Sequence, residues 1–125
     1  MTRQRNDNHS TEFGIWIRNQ PCVDSYKGYR NYNLDIIWWR KNGFERKPEK
    51  WMLIEEKRHM AECKGDQKLT FEWLHEKLTQ VNDGSYCGIH LLQFENTNPD
   101  DGKVYWDGKE ITKQQLLEFL QFNFT

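Results

Sequence analysis

Two apolar runs of strand character flank a single stretch of helical period, and that order is what most limits the folds open to this chain. Residues 51–59 (WMLIEEKRH) and 86–94 (YCGIHLLQF) are rich in the β-branched and aromatic side chains that suit a pleated surface. Between them, in residues 67–81, Phe71, Leu74, Leu78 and Val81 fall on one face of a 3.6-residue period. The breaker residues 64–66 precede this helix, and residues 82–85 (NDGS) end it. A helix joining two consecutive strands fits a crossover unit, which lays the strands parallel. Residues 32–40 (YNLDIIWWR) read as an earlier strand, joined to the first run by the charged connection 41–50, which holds Gly43 and Pro48. Downstream come a turn at 96–102, a short strand at 103–106 and the hairpin dipeptide Asp107-Gly108. A capping box at Thr112–Gln115 then opens a helix carrying Leu116, Leu117 and Leu120. The expected fold class is α/β, a central mixed sheet flanked by helices in one domain over residues 11–125. Residues 1–10 read as a disordered tail, 11–19 as either helix or strand, and 21–30 as loop.

A chain of 125 residues can bury roughly two-thirds of the surface its unfolded form exposes, so neither a disulfide nor a metal is needed for folding. Only 36% of residues are apolar, but 14% are aromatic, and large rings fill a core with few positions. The three cysteines, Cys22, Cys63 and Cys87, are odd in number and widely spaced, which points to free thiols in a reducing compartment. With no leader-like segment and no apolar run near 18 residues, the expected location is the cytosol, with no membrane partner. A formal net charge of −1 gives no global basic footprint for coating nucleic acid. It excludes a nuclease less firmly, because bound cations there supply much of the charge that meets phosphate.

Side chains alternate faces along a strand, so Trp51, Leu53, Glu55, Lys57 and His59 share one face of the 51–59 run and Met52, Ile54, Glu56, Arg58 and Met60 the other. Glu55 and Lys57 thus project together, just past the apolar half. Taken alone, a strand leaving the core with its charged end in water explains them. Asp35 is harder to dismiss, because it interrupts an apolar strand where an unpaired carboxylate is costly to bury. Its partner is either a cation shared with Glu55 or a salt bridge or N–H near a strand end. Other candidates are weaker. His59 and Cys63 stand four apart but lack a second ligand pair for zinc. His75 reads as helix surface, His90 as a hydrogen-bonded strand histidine, and Ser25 and Ser85 have no histidine at a triad spacing. Trp38, Trp39 and Trp51 have the rings to stack on bases, although strand aromatics are more often core.

Asp35 followed by Glu55-Glu56-Lys57, on strand, turn, strand and helix, resembles the PD-(D/E)XK phosphodiesterases over roughly residues 32–94. Leu34 stands where that motif often has proline. The resemblance implies a restriction-endonuclease-like core and a Mg²⁺- or Mn²⁺-dependent nuclease acting on DNA, with RNA not excluded. It implies that Asp35, Glu55 and the Glu56 backbone carbonyl are metal ligands and that Lys57 is a catalytic ammonium. Gln67, four residues before the aromatic Phe71, matches a glutamine that helicase-linked recombination nucleases of this superfamily carry after their lysine, and is counted with the catalytic set. Glu12 is the candidate for an extra N-terminal acidic ligand. The C-terminal half also resembles small phage-encoded proteins, without bringing an activity with it; a phage origin would make the cytosol that of the host. A second copy of the chain is a further candidate partner. The alternative from another class is an inactive nuclease-like module that binds nucleic acid or protein.

Overall fold

The computed structural model describes residues 12, 15–16, 19–23, 27, 32, 34–41, 43 and 47–124. The expected tail at 1–10 lies outside the described residues, as does Gly28. The chain divides into two units, Met1–Asn33 and Leu34–Thr125. In the first, Glu12, Ile15 and Trp16 are helical, the other residues of 11–18 lie outside the described residues, and Pro21–Val23 forms one 3₁₀ turn.

The second unit is an α/β fold around one five-stranded sheet. Its elements are β1 (Ile36–Lys41), β2 (Pro48–Lys57), α1 (Gly65–Gln80), β3 (Tyr86–Phe94), β4 (Val104–Trp106), β5 (Lys109–Ile111) and α2 (Lys113–Leu120). The strands lie in sequence order. β1 is antiparallel to β2, β2 is parallel to β3 across the α1 crossover, and β4 and β5 add antiparallel. The sheet is mixed, as the strand–helix–strand order requires.

Several boundaries differ from the sequence reading: β2 begins at Pro48, inside the expected 41–50 connection, because residues 48–50 pair with the end of β1, and others shift for local reasons. β1 begins at Ile36 instead of residue 32, because Asp35 takes the Glu56 N–H with its own Oδ2 at 2.8 Å, so a side chain stands in for the ladder acceptor. β2 stops at Lys57, two residues early, where His59 (φ 54°) and Met60 (φ 57°) turn left-handed and give their N–H groups to Asn96 O and Phe94 O. Val81 is not part of the packed helix stripe; it sits past the end of α1 and is 79% exposed. β5 lacks the composition of a strand and forms as the return arm of the Asp107-Gly108 hairpin.

The core lies on one face of the sheet. Met52 and Ile54 from β2, Leu92 and Phe94 from β3, Val104, Trp106 and Ile111 pack with Leu116 of α2. The capping box of α2 is formed: Thr112 Oγ1 accepts from Gln115 N, and Gln115 Oε1 accepts from Thr112 N. The opposite face carries Leu53, Glu55 and Lys57, and Gln67 in the first turn of α1 reaches it. The parallel β2–β3 pairing slips between Trp51 and Leu53, where Tyr86 and Ile89 are the successive partners. Gly88 sits in this bulge with φ 103°, and a Cβ there would meet His90 Nε2 at 3.0 Å, so the bulge needs glycine.

Candidate active site

β2 delivers the central carboxylate directly from the core: Leu53 and Ile54 are buried, and Glu55 behind them is only 5% exposed. Register then supplies its neighbours. The last β1–β2 pair is Ile36 with Ile54, so Asp35 and Glu55 meet one step further along. Asp35 is close enough for its negative charge to act on Glu55. The Glu55 carboxyl is pushed above its usual range, first by burial and then by the Asp35 charge, against the opposing pull of Lys57 and Gln67.

The side chains of Glu55, Lys57 and Gln67 form a closed triangle. Lys57 Nζ lies 3.3 Å from Glu55 Oε1 and donates to Gln67 Oε1 at 3.1 Å. Gln67 Nε2 donates to Glu55 Oε1 at 3.2 Å. Gln67 is therefore no helix cap; it spans from α1 to the β2 pair. Both of these Glu55 contacts fall on Oε1. Its other oxygen, Oε2, is buried and has no hydrogen-bond partner among the described residues. An acceptor without a donor at that depth costs about 1–3 kcal/mol, more when charged.

That oxygen is the observation against which a divalent cation can be tested. The donor set at hand is Glu55 Oε2, the Asp35 oxygen not engaged with Glu56 N–H, and the main chain of Glu56. Along a strand, the N–H and C=O of one residue leave the same edge. The Glu56 carbonyl thus faces the edge where Asp35 sits. Among the described residues, no group of three or more His, Cys, Asp or Glu side chains comes together. Two carboxylates and a carbonyl are too few for a closed calcium cage, but they suit Mg²⁺, which keeps several waters and commonly takes one or two carboxylates plus substrate phosphate. The residues fit the group. Glu12 is an exposed helical residue of the N-terminal unit.

Two further residues belong to this neighbourhood and were not singled out from sequence as part of the site. Gln93 is buried, stands opposite Lys57 in the parallel register, and donates to Ala61 O at 3.0 Å, tying down the segment that follows β2. Cys63 on that segment feels the charges of Lys57 and Glu55, and burial pushes its thiol up. No motif spacing marks Gln93; only strand register brings it to Lys57. His59 and Cys63 do not share a helix face, because residues 59–64 are not helical. All three cysteines are free thiols.

Away from the site, His90 is a hydrogen-bonded strand histidine. Nδ1 contacts Asp107 Oδ2 and Nε2 contacts the Cys87 carbonyl, both at 2.7 Å. Two acceptors require two ring N–H donors, which is the imidazolium form. Burial pulls its pKa down, but the bonds to Asp107 and Cys87 and the Asp107 charge outweigh it, and the net shift is upward. His75 lies exposed on α1 with Nδ1 at 2.7 Å from Tyr86 Oη. Burial pushes that Tyr86 hydroxyl up to about 12. Among the described residues no helix is long and apolar enough to cross a membrane.

Comparison with protein-family models, curated proteins and solved structures found no match to this chain.

Proposed function

We propose that the chain is a metal-dependent nuclease of the PD-(D/E)XK type, hydrolysing phosphodiester bonds in DNA. The observation that carries this reading is the buried Glu55 oxygen without a hydrogen-bond partner among the described residues, set beside a second carboxylate and an ammonium. The antiparallel β1–β2 pair, the α1 crossover and the parallel β3 support a restriction-endonuclease-like core around it.

Asp35, Glu55 and the Glu56 carbonyl would hold Mg²⁺ or Mn²⁺. When bound, such a cation neutralises charge on the phosphate and acidifies a water. Lys57 stabilises negative charge as it develops on the phosphoryl oxygens, a role that works best for a donor already aimed in a site sheltered from water. Gln67 and Glu55 hold Nζ in one place, and Lys57 is only 20% exposed. Gln67 is thus a positioning residue, contributing orientation and no charge. The single Asp35–Glu56 N–H bond favours a second reading, in which Asp35 merely ends a strand in an inactive binding module.

A cleavage assay separates the two. Linear, nicked, single-stranded and branched DNA are incubated with Mg²⁺ or Mn²⁺, and in parallel with EDTA. The nuclease reading expects metal-dependent cutting of at least one substrate, lowered about 100-fold or more by Lys57→Ala and less by Gln67→Ala. No cutting of any substrate by wild-type protein leaves the binding module as the better reading.

A further inference from the structure

β1 carries an exposed indole, Trp39, on the same sheet face as the carboxylates. Ile36 packs toward the core, so by alternation Ile37 and Trp39 point to the other face with Glu55. Ile37 is 69% and Trp39 47% exposed, against the expectation that strand aromatics are core. Trp39 pairs across the strand with Trp51, whose ring lies 4.8 Å from that of Tyr86. This aromatic row stands four residues from the Asp35–Glu55 row, roughly 13 Å at strand rise, with the apolar Ile37–Leu53 pair between them.

We infer that this face is a single-strand track, on which bases of an unpaired DNA strand stack while its backbone reaches the carboxylate site. An exposed indole presents a flat apolar face, and a base offers its own only when it is unpaired. The charge of the adjoining sequence agrees. Between Arg40 and Lys50 the sequence has five cations against two carboxylates, in a chain whose formal net charge is −1. This segment follows Trp39 directly in the chain and carries a positive excess that the protein as a whole lacks, although Arg40 itself pairs with Glu49 at 3.2 Å. The inference rests on the nuclease reading for what happens at Asp35 and Glu55, and it names the substrate class of that site.

The test measures binding without cleavage. Fluorescence anisotropy of a labelled oligothymidylate in EDTA gives Kd for wild type, Trp39→Ala, Trp39→Phe and Ile37→Asp, with a blunt duplex of equal length as the control. Trp39→Ala should weaken oligothymidylate binding on the order of five- to a hundredfold, since each stacked base contributes that range. Trp39→Phe should recover most of it, and Ile37→Asp should weaken binding by placing a carboxylate in the phosphate's way. Duplex binding should be weaker than single-strand binding and change less than twofold. Both residues are exposed, and a thermal melt confirms that the variants fold. Unchanged single-strand affinity in folded Trp39→Ala overturns the track, as does equal wild-type affinity for duplex. A concentration-dependent dimer lost in Ile37→Asp, without oligonucleotide binding, assigns the face to a second copy of the chain and also overturns it. Because cutting plays no part in the readout, an inactive protein that still binds through Trp39 overturns the nuclease reading alone.

Discussion

Replacing Asp35 by asparagine and by alanine separates its two interactions, one with a backbone N–H and one with a neighbouring charge. Oδ2 accepts the Glu56 N–H at 2.8 Å, and the carboxylate charge pushes the Glu55 pKa up. Asparagine keeps an acceptor at the same place. A hydrogen bond to a charged group is roughly twice as strong as a neutral one, so Asn gives up on the order of 1 kcal/mol of bonding. It also removes a like charge from beside a buried carboxylate, a relief of similar size and opposite sign. The net change for Asp35→Asn without metal should lie within about 0.5 kcal/mol of zero. Alanine also relieves the repulsion but leaves the Glu56 N–H without its partner. Water reaches this strand end, so the cost is the low end of the range for an unmade bond, about 1 kcal/mol beyond Asn. For a domain of this size that is a fall of roughly 3–6 °C in melting temperature. Melts followed by circular dichroism in EDTA at pH 7 check the order: wild type and Asn together, Ala below. A drop for Asn as large as that for Ala refutes the reasoning and makes the charge of Asp35 a structural requirement.

Ile54→Ala, at a fully buried β2 position, should cost about 2–5 kcal/mol in urea denaturation, the range for core truncations that leave a cavity. Glu55→Gln should melt at or above wild type at pH 7 in EDTA. The folded pKa of Glu55 is raised, so its ionisation costs stability as pH climbs from 4.5, and the advantage of Gln should shrink on returning there. His90 is the opposite case. Its folded pKa also lies above the ordinary 6.5, but here the proton adds stability, which is fully present below that value and is lost as pH rises through the folded pKa. Asp107→Asn keeps an acceptor for the Leu91 N–H while removing the anion, so its deficit against wild type should be largest near pH 6 and fade above. Melts across pH, with NMR titration of the ring, check both the size and the sign.

The parts of this fold that a sequence displays are those set by local period and local chemistry. β3 has the bounds its composition indicates, and the α2 capping box was readable from Thr112 and Gln115. Gln67, singled out through the resemblance, does meet Lys57 and Glu55 from the first turn of α1. The rest depends on pairing. Strand propensity marks Trp38 and Trp39 as β residues but says nothing about which strand is outermost, and both rings are exposed. The left-handed pair His59–Met60 has no glycine or asparagine to announce it; the turn is held by Asn96 and Phe94, more than thirty residues on. Gln93 meets the site only through the parallel register with Lys57, and Asp107 meets His90 across the β3–β4 turn. The missed β5 shows the same limit in reverse, since Lys109–Ile111 pairs because a hairpin returns it to β4.

Calorimetric titration with Mn²⁺ tests most directly whether the Glu55 oxygen left without a partner among the described residues holds a cation. Wild-type protein, freed of metal with EDTA and dialysed, should take up one or two ions. Lys57→Ala should still bind, because an ammonium is not a ligand and removing it takes positive charge from the site. Glu55→Ala should bind none, because a hard cation depends on carboxylate oxygens that this variant lacks. Mn²⁺ uptake that survives Glu55→Ala, or no uptake by folded wild-type protein, contradicts the account.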